Sequence, residues 1–128
     1  MVFSFFSEIL VMKYSDSLKK NKDFQHVYKL AKSYANKYLV MYMIENDTNT
    51  NRIGISVSKK IGNSVVRHRI TRLIREAYRL HEEMFESGFD IVVIARISAK
   101  KASYYEIEDA VLHLRNLHYK NFNKKEQN

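Results

Sequence analysis

The sequence predicts an α+β domain in which three helices pack on a small sheet. Apolar residues recur at helical spacing in three segments, and β-branched and aromatic residues alternate or cluster in three others. These segments follow one another in the order helix, strand, strand, helix, strand, helix, which is typical of a mixed α+β fold. The chain has 128 residues, enough for one domain and too few for two ordinary ones.

The first half of the chain is predicted to hold one helix and two strands. A helix is expected at 21–32, with Asn21 as its cap and an apolar face made of Phe24, Val27, Tyr28 and Ala31. The segment 38–44 is rich in aromatic and branched residues and predicts a strand, and a polar turn follows at 45–51. The segment 52–58 alternates between apolar and polar residues and predicts a second strand.

The second half is predicted to contain two helices on either side of a buried strand. A long helix is expected at 63–80, and Gly88 precedes an apolar run at 89–95 that predicts a strand buried on both faces. Ser103 and Glu106 have the spacing of a capping box, which indicates the start of a last helix. Its apolar face would consist of Ile107, Ala110, Val111, Leu114 and Leu117.

One domain is expected at 18–120, between two less ordered segments. The extension at 1–17 begins with an apolar stretch that lacks a basic start and a cleavage site and is too short to cross a bilayer. We therefore hypothesise that translation starts at Met12. The polar, basic segment 121–128 is predicted to be a frayed tail.

The helix at 63–80 carries the most specific pattern in the sequence. Steps of 100° per residue place Val66, Ile70, Leu73, Ile74 and Ala77 in one core-facing stripe. On the opposite side, spacings of four, three and four align His68, Arg72, Arg75 and Arg79 in one ridge, flanked by Arg67 and Arg69. The only acid on this helix is Glu76, so the sequence predicts that the ridge keeps its positive charge.

This charge favours an anionic partner. The formal net charge is +8 and the pI about 9.6. A solvated helix face normally mixes both signs, whereas arginine suits bidentate contact with phosphate and stacking on bases. Lys59, Lys60 and Asn63 precede the helix where its free N–H groups also favour an anion. The pattern predicts a phosphate-binding surface without specifying which nucleic acid it binds.

The segment 54–79 resembles the signature of the bacterial ribonuclease P protein subunit family. Its residues are GISVSKKIGNSVVRHRITRLIREAYR, and the family hallmark is Arg-Asn-Arg on a long helix after Lys-Lys-x-Gly-Asn-Ala-Val. Matching positions are Lys59, Lys60, Gly62, Asn63, Val65, Arg67, Arg69, Arg72 and Arg75. Segments 18–28 and 91–96 also agree with the family. The chain departs from it at His68, Ser64 and Thr71, where the family usually has asparagine, alanine and lysine.

The resemblance implies a fold as well as a function. The expected architecture is a two-layer α/β sandwich resembling the second domain of ribosomal protein S5. It would have a small, mainly antiparallel sheet, three helices and a left-handed strand–helix–strand crossover. Members of the family bind a large catalytic RNA that removes the 5′ leader from precursor tRNA, so the protein alone is expected to be inactive. Mg²⁺ is expected to be held mainly by the RNA subunit, and the complex to act in the cytoplasm.

The resemblance also implies two sets of binding residues. Contacts with the RNA subunit are expected from Lys59, Lys60, Asn63, Arg67, His68, Arg69, Arg72, Arg75 and Arg79. Contacts with the single-stranded leader are expected from Phe24, Tyr28, Tyr38, Tyr42, Ser56 and Arg96. The expected partners are the catalytic RNA and precursor tRNA, with neither DNA nor a membrane.

Two other classes of function remain open from the residues alone. One is a general RNA-binding module that takes no part in processing, which would bind RNA with the same salt dependence but without stimulating cleavage. The other is a membrane-surface protein, disfavoured because the basic helix lacks an exposed aromatic face. The sequence gives little support for catalysis by the protein itself, because its acids and histidines form no nucleophile motif and no metal-ligand spacing.

Overall fold

The computed structural model describes residue 12 and residues 14–127, with side chains described as far as residue 122. The strands are β1 (Ser15–Ser17), β2 (Lys32–Ala35), β3 (Leu39–Glu45), β4 (Asn51–Ser56) and β5 (Phe89–Ala95). The helices are α1 (Asn21–Leu30), α2 (Ser64–Leu80) and α3 (Tyr104–Gln127), with 3₁₀ turns at Glu82–Met84 and Ile97–Lys101. The hypothesis of a start at Met12 and most of the predicted extension concern residues outside this description.

The strands form one mixed sheet in the order β1-β4-β5-β3-β2. β1, β4 and β5 are parallel neighbours, whereas β5 pairs with β3 and β3 with β2 in antiparallel register. The α+β class with three helices is confirmed, and the sheet is mixed, with two antiparallel and two parallel strand pairings. Helix α2 connects β4 to its parallel neighbour β5, as parallel strands require.

The structure adds two edge strands that the sequence does not predict. β1 contains no apolar residue and β2 has only four residues, so neither produces a hydrophobic pattern. β1 pairs with β4 from Ser15 to Ser17, so this part of the predicted extension belongs to the sheet. At the other end, α3 extends into the predicted tail as far as Gln127, and Phe122 packs against the core.

Helices cover both faces of the sheet. On one face, α2 and α3 enclose the main core, to which the sheet contributes Leu39, Met41, Met43, Ile53, Ile91, Val93 and Ala95. On the other face, α1 packs Val27 against Val92 and Leu18, both of which are buried. The short helix α1 thus adds a partial third layer to the predicted two-layer sandwich. It leaves part of this face half-buried beside Tyr42 and Ile94.

Two of the three predicted helix starts are confirmed. The side chain of Asn63 accepts a hydrogen bond from the Val66 N–H at 3.0 Å and caps α2. Ser103 and Glu106 exchange hydrogen bonds between side chain and backbone at 3.2 and 3.0 Å, forming the predicted capping box. Asn21 is wrong as a cap, because it is the first residue of α1 and Lys20 occupies the cap position without a side-chain hydrogen bond.

A largely buried ion pair between β4 and β5 also reaches α1. The Asp90 side chain on β5 is only 3% exposed and accepts two hydrogen bonds from Arg52 on β4, at 2.8 and 2.6 Å. Asn46 donates a third at 3.0 Å, and Arg52 also lies 3.6 Å from the Asp23 carboxylate at the start of α1. Burial opposes ionisation, but the hydrogen bonds from Arg52 and Asn46 prevail and lower the pKa of Asp90. This network holds the first turn of α1 to the sheet.

Candidate nucleic-acid interface

The core-facing stripe of α2 is placed as predicted and orients the basic ridge outward. Ile70, Ile74 and Ala77 are fully buried, with Val66 and Leu73 partly buried at the margin of the core. The ridge residues His68 and Arg72 consequently lie on the exposed side of the helix, and Arg67 and Arg75 are half-buried on one flank. The amphipathic pattern therefore identified correctly which face of α2 is available to a partner.

Two arginines of this helix are engaged by the protein itself. Arg79 makes a two-point ion pair with Glu76, with contacts at 2.7 and 3.1 Å, so the prediction that the ridge keeps its full charge is wrong. Arg69 donates hydrogen bonds to the main-chain carbonyls of Lys100, at 3.2 Å, and Ala102, at 3.1 Å. Helical spacing allows Glu76 to pair with Arg72, four residues before it, or with Arg79, three residues after it, and does not decide between them. The contact of Arg69 depends on a segment about thirty residues away, which helical spacing cannot reveal.

Arg67, Arg72 and Arg75 remain free of such contacts. None of them makes an ion pair or a side-chain hydrogen bond with the part of the chain that the structure describes. The Nε atoms of Arg67 and Arg75 are buried, so these side chains lie along the helix flank and leave their terminal amino groups for an external anion. Together with exposed Lys59 and Lys60 before the helix, they form the basic surface of α2.

A second candidate surface lies on the sheet face beside α1. The rings of Phe24 and Tyr28 are 6.3 Å apart, and Tyr28 meets Tyr42 edge-on at 5.2 Å. A Cβ on Gly54 would come within 2.6 Å of the Phe24 ring, so the absence of a side chain at Gly54 allows this ring to lie against β4. Half-buried Ser56 follows two residues later on the same face. We call this half-exposed aromatic surface the α1 cleft.

Tyr38 does not belong to the α1 cleft. The prediction placed it on one face with Tyr42, but β3 begins only at Leu39, after a turn in which the Asn36 side chain accepts hydrogen bonds from the N–H groups of Tyr38 and Leu39. Strand alternation therefore does not reach Tyr38. Its ring packs on the main core, and its hydroxyl donates to Glu106 on α3, in the opposite layer.

A basic groove lies between the two surfaces. Arg96, predicted to contact the leader, and Lys60, predicted to contact the RNA subunit, both line this groove of about 600 Å³, together with Lys37 and an apolar floor that includes Ile61. Arg96 also donates to the Asn36 carbonyl at 2.7 Å, which fixes its position. Lys37 lacked any distinguishing pattern in the sequence, because its place beside the groove depends on how the local turn at Asn36 packs against the segment that holds Arg96.

Metal ligands and membrane-spanning helices were also sought in the described residues. Over residue 12 and residues 14–127, no group of three or more histidines, cysteines, aspartates or glutamates is arranged to hold a metal ion. No helix in this part of the chain is long and apolar enough to cross a membrane. The surfaces that the geometry does supply, a basic helix and an aromatic cleft, are both suited to single-stranded or structured nucleic acid.

Comparison with known proteins finds relatives of one family. The family model described as Ribonuclease P matches residues 12–118. The ribonuclease P protein component of Lachnoclostridium phytofermentans is 59% identical over 104 residues, covering 81% of this chain and 90% of that protein. The solved ribonuclease P protein of Staphylococcus aureus aligns with a TM-score of 0.76 and 40% identity, covering 81% of this chain and 95% of its own. That of Thermotoga maritima aligns with a TM-score of 0.72 and 30% identity over 79% and 96% of the two chains.

Proposed function

The chain belongs to the ribonuclease P protein family, and on that basis we propose that its two surfaces bind two different RNAs. It is a protein subunit of the ribonucleoprotein that matures the 5′ end of tRNA, and the RNA subunit of that complex carries out the catalysis. In the proposal, the basic surface of α2 binds the catalytic RNA, and the α1 cleft holds the 5′ leader of precursor tRNA.

The observation that carries this proposal is that the basic surface of α2 and the aromatic α1 cleft lie on opposite faces of the sheet. The free arginines lie on α2, which packs on one face of the sheet, whereas Phe24, Tyr28 and Tyr42 lie on the other face. Phosphate contacts give affinity and position for a structured RNA, and aromatic rings bind unpaired bases with little sequence preference. A subunit that must accept many different leaders requires this second kind of contact.

The position of the basic groove supports a path for the leader from the α1 cleft toward the RNA subunit. Arg96 and Lys60 lie on its walls, at the end of the sheet where β4 and β5 finish and α2 is about to begin. A leader that leaves the α1 cleft at this end would pass cations before it reached the RNA subunit bound on α2. We assign the Mg²⁺ ions of the reaction to the RNA subunit, so the role of this chain is to bind and orient the substrate.

Cleavage of a precursor tRNA by a bacterial ribonuclease P RNA at low Mg²⁺ tests the proposal. We expect strong stimulation when the protein is added and no cleavage by the protein alone, because the protein supplies binding and not the reacting groups. Tight RNA binding without stimulation would contradict the processing role and favour a general RNA-binding module.

Phe24→Ala is expected to lower the affinity of the assembled enzyme for leader-bearing precursor tRNA about 5- to 150-fold. This is the effect of losing one contact between a base and an aromatic ring. Affinity for mature tRNA should stay unchanged because it lacks the leader. The measurement is the ratio of the two dissociation constants. Tyr105→Ala serves as the matched control, since Tyr105 lies on α3, is 74% exposed and is remote from the cleft. Equal losses for both RNAs would argue against a leader site at Phe24.

A further inference from the structure

Two lysines outside the predicted site lie beside the basic helix. Lys100 and Lys101 end the 3₁₀ turn Ile97–Lys101, and both side chains are exposed. Neither makes an ion pair with any residue in the described part of the chain. The turn itself is firmly packed, because Ala99 and Ala102 on either side of the lysines are 0% and 2% exposed. The lysines are therefore cations at the end of a rigid segment, and not part of a loose loop.

Arg69 connects this segment to α2. Its two terminal amino groups donate to the carbonyls of Lys100 and Ala102, the residues that bracket Lys101. Such a two-point contact requires the planar fork of a guanidinium, and an ammonium group cannot reproduce it. The exposed face of α2 next to Arg69 carries Val65, which is 75% exposed, and His68 and Arg72. Arg69 thus holds the two lysines next to the basic surface of α2.

We infer that Lys100 and Lys101 extend the basic surface of α2 and bind phosphates of the RNA subunit, with Arg69 as the positioning residue that holds them there. The inference rests on the proposed function of that surface. RNA backbone is the partner that fits, because the lysines continue an arginine-rich surface that already suits phosphate. The exposed Ile97, at 70%, lies in the same turn and offers apolar contact to an unstacked base.

The first test compares two double variants with equal loss of charge. Lys100→Ala/Lys101→Ala should reduce affinity for the RNA subunit about 5- to 30-fold near 0.1 M salt, and lower the slope of log K against log salt by about 1.5. Lys32→Ala/Lys120→Ala removes two exposed lysines from β2 and from the second half of α3. This control should change the affinity by less than about twofold. Equal effects of the two double variants would overturn the inference.

The second test separates positioning by Arg69 from direct phosphate contact. Arg69→Lys keeps the charge but loses one of the two carbonyl contacts, so we expect it to weaken RNA binding by about threefold or more. If Arg69 acts through the lysines, its effect should largely disappear in the Lys100→Ala/Lys101→Ala background. Additive effects would show that Arg69 binds RNA independently, which contradicts its positioning role.

Two controls keep the result interpretable. Thermal unfolding of each variant identifies any loss of affinity that arises from misfolding, and Arg69→Lys is compared only over temperatures at which it remains folded. Wild-type protein that fails to bind the RNA subunit would contradict the proposed function itself. If wild-type protein binds the RNA subunit and the lysine variants bind it equally well, the result would contradict only the extension of the surface.

Discussion

Replacing Arg67, Arg72 and Arg75 together with alanine is expected to lower the affinity for ribonuclease P RNA by about 100- to 1,000-fold. These three arginines make no ion pair with the described part of the chain, so their charge is available to phosphate. Each lost phosphate contact should also lower the salt slope of binding by about 0.7–0.9, giving a total decrease of about 2–3. A titration of labelled RNA at several salt concentrations measures both quantities.

Arg79→Ala provides the matched control on the same helix. Arg79 is paired with Glu76, with its side chain only 16% exposed, so its removal should cost at most about threefold in affinity and leave the slope nearly unchanged. The difference between Arg79 and the three free arginines is the informative result. If Arg79→Ala and single variants such as Arg72→Ala weakened binding equally, net charge would determine affinity and the pairing seen in the structure would be irrelevant.

Arg52→Ala is expected to destabilise the fold by about 2–4 kcal/mol, the cost of removing one partner from a largely buried ion pair. This range is shifted below the usual cost of about 3–5 kcal/mol, because the Arg52 side chain is 37% exposed and Asn46 still donates to Asp90. The change leaves the Asp90 carboxylate, 3% exposed, without its main counter-charge. Chemical denaturation at pH 7 measures the free energy of unfolding.

The double variant Arg52→Ala/Asp90→Asn tests whether the buried charge causes this loss. An amide at position 90 has no charge to compensate, so the double variant should be more stable than Arg52→Ala alone. A double variant that is no more stable would indicate that the loss comes from the packing of the Arg52 stem. Because Arg52 also contacts Asp23 one residue before Phe24, the single variant should loosen the α1 cleft as well.

The pH dependence of stability follows from the lowered pKa of Asp90. A carboxyl group with a lower pKa in the folded state stabilises the fold above its unfolded pKa of about 4, and this contribution is lost as pH falls through the folded value. The Asp90 contribution should therefore remain constant from pH 7 to about pH 5 and decline only in stronger acid. The double variant Arg52→Ala/Asp90→Asn lacks the Asp90 carboxyl group. A loss of stability in acid that wild type shows and the double variant does not show therefore belongs to Asp90.

Long periodic elements were predictable because each has enough residues to display its period. The 17 residues of α2 contain the whole apolar stripe and the whole basic ridge, and the sequence alone places both correctly. β5 was predicted with its observed bounds, since its apolar run is interrupted only by Asp90 and ends at Arg96. The capping box of Ser103 and Glu106 was also predictable, because a cap acts within three residues of itself.

The short edge strands and the position of Tyr38 required the tertiary structure. β1 and β2 form because β4 and β3 offer them unpaired backbone groups, and this pairing leaves no hydrophobic pattern in three or four residues. Tyr38 was assigned to the wrong layer because alternation was extended one residue beyond the start of β3. The turn at Asn36 that ends the alternation depends on side-chain hydrogen bonds that a pattern of apolar residues does not reveal.

The sequence by itself determined the fold class, the family, the exposed face of α2 and its arginines. All of these depend on residue types at short, regular spacing, where neighbours in sequence are also neighbours in space. Only the folded structure decided which arginines are free, because helical spacing allows Glu76 to pair with either Arg72 or Arg79. Arg69 is engaged by carbonyls about thirty residues away and Arg79 by a rotamer-dependent contact with Glu76, whereas Arg67, Arg72 and Arg75 make no such contact. A guanidinium binds whichever acceptor the folded chain brings within about 3 Å, and sequence spacing does not determine that distance.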